Sequence, residues 1–244
     1  ISMDPVDYYG LREVDSIEMG FSENPDAVFI TNPTFLHGDY ALLAAQHKCH
    51  FFVEKPLCVN EIQLKKIKKY YDLSNGKIHF SSNFVLRGNS IFKNIKNTIL
   101  KKTSEKIYYM QGEYNYGRLK KITNGWRSNQ PKYSINLGGS IHLIDLFQWI
   151  NNSKVLKVVA AGNKISTHSS KFRYKDFSTA ILEFENGAIG KITANFGCVI
   201  PHHHNLSIYT TKRTIKHSLE NSVIYSSRSK NVPPKTFGNK IKYD

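Results

Sequence analysis

The sequence predicts an α/β fold in two parts. A partial, doubly wound parallel sheet comes first, followed by an α+β region built on a large, open, mainly antiparallel sheet. Two observations predict this. Residues Asp26 to Leu57 hold two short apolar runs, Ala27–Thr31 and His50–Val53, rich in Val, Ile and Phe and bounded by turn formers. Between them Phe35–His47 spaces its apolar residues as a helix does, so the stretch reads as strand, crossover helix and parallel strand. The second observation is a change of rhythm: from Val155 onward the chain is almost all strand.

The elements follow in order. Residues 1–25 read as a loop, a short helix near Leu11–Met19 and the Asn24-Pro25 breaker. After the β-α-β stretch, Asn60–Leu73 is amphipathic and closes at Ser74-Asn75-Gly76, a helix stop followed by a turn. Lys77–Asn83 reads as a further strand and Ile91–Leu100 as a helix. The boundary between the parts falls near Leu86–Gly88, which assigns residues 1–86 to one domain and 87–244 to the other. Lys106–Tyr116 alternates as a strand should, and Tyr133–Asn151 holds a Gly-Gly turn running into a helix. Thr179–Phe184 and Ala188–Phe196 form a hairpin around Glu185-Asn186-Gly187. Asn205–Thr211 and Thr214–Leu219 form another around Lys212-Arg213. Such a succession suggests one broad sheet packed on the preceding helices.

Composition narrows the function classes. The 244 residues, 40% apolar and 12% aromatic, suffice for a real core, and no run approaches the about 18 apolar residues that a membrane span needs. The opening ISMDPVDYYG has no basic flank and no apolar stretch, so it does not read as a signal peptide. Cys49, Cys58 and Cys198 show no C-x-x-C spacing, which suits a reducing cytoplasm and no structural zinc. The formal charge of +15 raises the question of a nucleic-acid or phosphorylated partner. Its lysines are spread along the chain, with small clusters at Lys65–Lys69 and Lys101–Lys106. Lys65, Lys66, Lys68 and Lys69 form the solvated face of a helix whose Ile62, Leu64 and Ile67 turn inward. No nucleic-acid partner is expected. His202-His203-His204 reads as a loop without metal, because neighbouring side chains on an extended chain alternate faces and no Asp, Glu or Cys lies close.

In open parallel sheets ligands bind beyond the carboxyl ends of the strands. Thr31-Asn32-Pro33 ends the first strand and Glu54-Lys55-Pro56-Leu57 the second; Pro56 biases Lys55 toward an extended backbone. These residues, with His37, resemble the signature of the glucose–fructose oxidoreductase / inositol dehydrogenase family of NAD(P)-dependent enzymes. The resemblance implies a Rossmann-type nucleotide domain, NAD or NADP as cofactor, and Lys55 beside the nicotinamide and the reacting carbon. Thr31, Asn32, Pro33, His37, Glu54 and Lys55 then belong to the cofactor side. Asn83, which with Arg87 resembles an Asn-x-Arg segment of the family, and the pair Trp126-Arg127 join them.

A second constellation runs from Tyr133 to Asp145. It resembles the family's glycine-rich turn entering a helix that carries His and Asp three residues apart, as His142 and Asp145 are here, sharing a helix face. Hydride transfer from an alcohol needs a group that accepts the hydroxyl proton, a task suited to a histidine. His142 is thus expected as general acid/base and Lys55 as the ammonium that stabilises developing alkoxide. Arg127, Tyr133 and Asp145 are expected near a sugar, cyclitol or nucleotide-sugar substrate. Many members have aspartate four residues before this histidine; here that position is Gly138. No strand, G-x-G-x-x-G and helix opens the chain, so the sequence reads as a fragment beginning inside the nucleotide domain and stopping before the family's closing segment. The rival reading is a truncated or degenerate homologue that binds a ligand or partner without catalysis. Family members commonly pair through the late sheet, which implies a homodimer or homotetramer.

Overall fold

A computed structural model describes residues 13–100 and 104–237. Tyr9-Gly10, the expected helix start at Leu11, Lys101–Thr103 and the closing Lys242–Asp244 lie outside the described residues. The chain divides between Asn83 and Phe84 into two compact units.

The first unit begins with helix α1 (Ile17–Ser22), which starts later than its apolar pattern suggests because Ser16 caps it, its Oγ accepting from Met19 N at 3.2 Å. Strand β1 (Ala27–Ile30) leads through Pro33 and a tight turn at Thr34–Leu36 into helix α2 (His37–Gln46). Strand β2 (His50–Val53) pairs parallel with β1, and β3 (Phe80–Ser82) pairs parallel with β2. Helix α3 (Glu61–Leu73) lies between β2 and β3 in the chain, capped by Asn60 Oδ1, which accepts from Gln63 N at 2.9 Å. Phe21, Ile30, Ala41, Ala44, Phe51, Val53, Ile67 and Ile78 form the core of this unit; of the α3 residues expected inside, Ile67 is there, whereas Ile62 and Leu64 are exposed. The expected β-α-β unit is present with the expected boundaries to within a residue or two.

The second unit opens with helices α4 (Val85–Gly88) and α5 (Ser90–Leu100), then strand β4 (Ile107–Asn115). Helix α6 (Lys120–Thr123) and a short turn at Trp126–Asn129 precede a π-helical turn at Asn136–Ser140, which runs straight into helix α7 (Ile141–Asn151). Strands β5 (Val155–Asn163), β6 (Phe177–Phe184), β7 (Ile189–Asn195), β8 (His203–Thr210), β9 (Thr214–His217), β10 (Ser222–Tyr225) and β11 (Lys235–Thr236) complete it. Among the described residues they form one sheet in the order β11-β10-β9-β8-β4-β7-β6-β5. Every pairing is antiparallel except β4 with β7. Period-2 alternation marks strands but not their neighbours, so this parallel pair was not legible in the sequence. Both hairpins are where the Asn-Gly and Lys-Arg turns place them. His203 and His204 differ from their loop assignment: they open β8, paired with Asn115 and Tyr114 of β4.

One face of this sheet carries Met110, Tyr114, Leu182, Ile192, Leu206 and Ile208 into a core with Phe92, Ile95, Leu143, Leu146 and Phe147 from α5 and α7. The opposite face carries Val159 and Ile181, 62% and 40% exposed. Phe184 and Ile192 lie on the core face.

A buried ion pair ties the β8–β9 turn to the segment before β4. The Glu105 carboxylate is fully buried and takes Arg213 Nε at 2.9 and 3.0 Å, Arg213 Nη2, and the Thr210 hydroxyl; Arg213 Nη2 also donates to Thr98 O at 2.9 Å. Removing one member of a buried, hydrogen-bonded pair strands the other charge. Arg213→Met is therefore expected to lower stability by about 3–5 kcal/mol in chemical denaturation. Lys65→Met, which breaks the exposed Lys65–Glu61 pair, should cost about 0.5 kcal/mol or less. Equal effects of the two would count against a structural role for the buried pair.

Candidate active site

In the first unit the three strand ends are laced together at the carboxyl edge. Glu54 N donates to Ile30 O at 2.8 Å and Asn83 N to Val53 O at 2.9 Å. Beyond that lacing, Asn83 Nδ2 donates to Glu54 Oε1 at 2.6 Å, so two residues expected on the cofactor side hold each other. Lys55 is half-buried, and its bond to Pro56 is cis. Two buried side-chain oxygens at this edge, Asn32 Oδ1 and Ser82 Oγ, have no hydrogen-bond partner. Orphaned acceptors of this kind fit a ligand that brings polar hydrogens to the strand ends, as the carboxamide and ribose of a nicotinamide nucleotide do.

His37, expected on the cofactor side, is engaged with the main chain. It is 2% exposed, with Nδ1 2.7 Å from Pro56 O and Nε2 2.8 Å from Asn32 O. Both ring nitrogens face main-chain carbonyls, so the ring sits between the turn after β1 and the turn that carries Lys55. Gly38 allows this by closeness: a Cβ there would lie 2.6 Å from the Gln63 side chain of α3.

In the second unit the glycine-rich turn does what its composition suggests. A Cβ on Gly139 would stand 2.8 Å from the rings of both Tyr114 and Phe196, so this turn rests directly on β4 and the end of β7. A Cβ on Gly138 would stand 2.4 Å from the Tyr133 hydroxyl. Just beyond, His142 is 6% exposed and stacked on Tyr114, with centroids 5.9 Å apart and planes at 8°. The His204 ring stands edge-on to it at 6.4 Å, and His202 and Tyr116 extend the cluster through Tyr114. π-Helical turns of this kind recur at functional sites because they re-aim the residues that follow.

Asp145 is engaged on both oxygens, by Arg87 Nε at 2.7 Å and Nη2 at 2.5 Å. Arg87 and Lys96 flank the Trp149 ring at 5.9 and 4.3 Å, and Lys96 Nζ donates to Trp149 O at 2.7 Å. The carboxylate expected near substrate thus clamps α7 to α4. Arg127 is half-buried, and its charge reaches Tyr114 and Tyr133. Among the described residues no group of three or more His, Cys, Asp or Glu is placed to hold a metal ion.

Burial shifts several of these groups toward their neutral forms. Burial pushes the Tyr114 and Tyr133 phenols up, with neighbouring tyrosines adding to it and Arg127 working against it. Burial and then the adjoining histidines push His204 down to about 3. Burial and His203 push His217 down to about 4. His202 falls for the same first reason, helped by Arg118.

Comparison places both parts of this fold in a known family. The profile of the oxidoreductase family with an NAD-binding Rossmann fold matches residues 4–80, and that of the GFO/IDH/MocA C-terminal domain matches residues 92–216. The chain belongs to the GFO/IDH/MocA family. An uncharacterized oxidoreductase of Bacillus subtilis is 30% identical over 201 residues, covering 77% of this chain and 53% of the relative. The myo-inositol 2-dehydrogenase of Thermotoga maritima is 23% identical over 208 residues, covering 82% and 59%. The crystal structure of myo-inositol 2-dehydrogenase from Lactobacillus plantarum superposes with a TM-score of 0.72 at 19% identity, covering 82% of this chain and 60% of that one. The chain spans little more than half the length of these curated relatives. Among the described residues no helix is long and apolar enough to cross a membrane.

The depressed histidines set an acid limit on stability. His217 is neutral in the folded state and titrates near 6.5 when unfolded, so below that pH the unfolded chain binds the extra proton. Its contribution is complete above pH 6.5 and is lost as pH falls toward about 4. Between pH 7.5 and 5.0 this amounts to about 2 kcal/mol. His217→Gln, which keeps a partner for the Ser222 hydroxyl that His217 Nδ1 meets at 2.7 Å, should flatten the loss by that amount in urea titrations. An unchanged pH slope would overturn the assignment.

Proposed function

We propose that the protein carrying this chain is an NAD(P)-dependent oxidoreductase. It moves a hydride between nicotinamide and a hydroxyl or ketone carbon of a sugar, cyclitol or nucleotide sugar. The observation that carries the reading is the strand edge of the first unit, where Asn32 Oδ1 and Ser82 Oγ lie buried and unpaired beside Lys55 and Glu54. Asn32, Ser82, Glu54 and the amide of Asn83 are the groups that would hold the nicotinamide nucleotide, with Thr31 and Pro33 shaping the turn. When bound, the nicotinamide accepts or donates the hydride.

The chain's own residues then handle charge and proton. As the C–H bond weakens, the substrate hydroxyl proton passes to the imidazole of His142 and the C–O bond becomes a carbonyl. The Lys55 ammonium stabilises negative charge on that oxygen in the meantime. Burial around His142 excludes water and strengthens both effects. Arg87 and Asp145 fix the first turn of α7, and so the height of His142 over Tyr114. Tyr133, kept protonated, serves as a donor to a substrate oxygen, and Arg127 takes an acidic group where the substrate has one. Gly138 favours a second reading, a homologue that binds without turnover, because no carboxylate occupies that position.

The test uses the longest reading frame that contains these 244 residues, with NAD and NADP against a panel of myo-inositol, scyllo-inositol and glucose. His142→Ala and Lys55→Ala should each lower kcat by on the order of 10²–10⁴ while cofactor affinity stays nearly constant. If both act on one oxygen, the double variant should lose little more than either single one. Cofactor binding without turnover of any member would favour the second reading, and strictly additive losses would separate the two roles.

Assembly follows from the exposed sheet face. Val159 and Ile181 stand there with Tyr109, Tyr209 and Ile189, an apolar surface suited to pairing. The protein should be a homodimer or homotetramer through this sheet. Light scattering giving a monomer mass would count against it, and Ile181→Lys should shift an assembled mass toward the monomer.

A further inference from the structure

We propose that β5 is a docking edge whose partner is the β5 strand of a second copy of this chain, added antiparallel so that two large sheets run on into one. The surface concerned is the border of the sheet, not the outer face that carries Ile181, and it owes nothing to the functional reading.

The large sheet ends differently on its two sides. One border is β11, two residues long; the other is β5, nine residues long, whose hydrogen-bonded neighbour among the described residues is β6 alone. Alternate amides and carbonyls of β5 therefore point away from the sheet with no strand to meet them. Sheets protect such borders with charge, proline or shortness. The β5 sequence, VLKVVAAGN, has no proline and one charged residue, Lys157. A bulge between Val155 and Lys157 twists the start of the strand and leaves Val158–Asn163 in unbroken register.

This border is apolar on both faces. Val158 and Ala160 pair with Leu182 and Ala180 and so lie on the helix side of the sheet, whereas Val159 pairs with Ile181 on the outer side. Val158 is 56% and Val159 62% exposed. On the helix side a cavity of about 310 Å³ lies between Ile144 and Gln148 of α7 and Val158, Ala160 and Leu182 of the sheet. A partner packed on the outer face would cover Val159 but neither Val158 nor Ala160. A strand hydrogen-bonded to β5 covers both faces and sets side chains at the mouth of the cavity, the arrangement from which added strands draw affinity and selectivity.

Three features select a second copy as that strand. β5 is itself apolar on both faces, as its partner must be. Antiparallel pairing about a two-fold axis perpendicular to the sheet keeps the two helix sides together. Centred on Val159, it sets Val158 opposite the partner's Ala160 and Lys157 opposite the partner's Ala161, so that no like charges meet. The border is also locally neutral in a chain of formal charge +15, because Lys157 Nζ lies 3.4 Å from Glu183 Oε1. Two like-charged copies meet least repulsion there, and an acidic peptide finds no free cation to hold.

The experiment measures mass by light scattering and amide exchange by mass spectrometry on the longest reading frame that contains this chain. Val158→Lys and Ala160→Lys each put a charge on the helix side of β5, at exposed positions, and leave the outer face unchanged; if one fails to fold, the other carries the comparison. Either variant should halve the assembled mass and speed exchange of the outward-pointing β5 amides by about 10-fold or more. Ile181→Lys, on the outer face, should leave that protection in place. A wild-type monomer overturns the proposal, including one with β5 protected, which would assign the edge to another segment of the same chain. So does a mass unchanged in both variants. A halved mass with unaltered β5 exchange means side-chain contact without strand pairing and also overturns it, as does loss of β5 protection in Ile181→Lys, which would assign that protection to the outer face.

Discussion

The second unit depends on how closely α7 can approach the large sheet. Gly112 of β4 and Gly190 of β7 lie beneath the Phe147 ring, and a Cβ at either would stand 3.0 Å from it. These two strands are the parallel pair at the middle of the sheet, so the glycines form a floor into which one aromatic ring is set. A methyl group on either floor position would lift the helix or force the ring aside, and interiors tolerate such overpacking poorly. With Phe147 seated, the turn of helix before it brings His142 down onto Tyr114. Gly139 repeats the device one turn earlier against Tyr114 and Phe196. The position of the proposed acid/base thus follows from three missing side chains.

The first unit solves a different problem, the placing of polar groups at the end of a short parallel sheet. Three strands of at most four residues supply few ladder bonds, so the edge is held by additional ones. The amides of Glu54 and Asn83 continue the ladder past the strand ends, and His37 binds the carbonyls of Asn32 and Pro56 from below. The result fixes the backbone on both sides of Lys55 while leaving Asn32 Oδ1 and Ser82 Oγ without partners. A rigid frame around unsatisfied groups is what binding with little reorganisation requires.

Legibility in the sequence followed periodicity. The β-α-β unit was readable because two apolar runs and a helical spacing fall within about thirty residues, a length set by the crossover itself. The Asn186-Gly187 hairpin was readable because its turn chemistry is local. What escaped was non-local. The parallel β4–β7 pair joins strands about seventy residues apart in the chain, and nothing in either strand names its neighbour. His203 and His204 looked like loop because a run of histidines has no alternation to read, yet pairing with β4 makes them strand. His37 was found by motif, but a sequence cannot show that both of its ring nitrogens face main-chain carbonyls. Gly112 and Gly190 carried a faint signal, glycine inside an alternating strand, which marks close approach of another element.

Gly138 brings these strands of argument together. The family resemblance sets a carboxylate at this position, but the space beside it is taken: a Cβ there would stand 2.4 Å from the Tyr133 hydroxyl. Restoring an aspartate at 138 would therefore require moving a buried ring that is edge-on to Phe172 and Tyr174 at 6.0 and 6.3 Å. Tyr133 and Gly138 are a coupled pair, one residue filling what the other vacates. The exchange also alters the electrostatics of the cluster, because a phenol raised by burial contributes no charge where a carboxylate would contribute one. A carboxylate beside His142 would favour its protonated form; a phenol does not. His204, pushed down by burial, adds no charge to this cluster either. Uncharged hydrogen-bonding groups of this kind suit hydroxyls better than charged ligands.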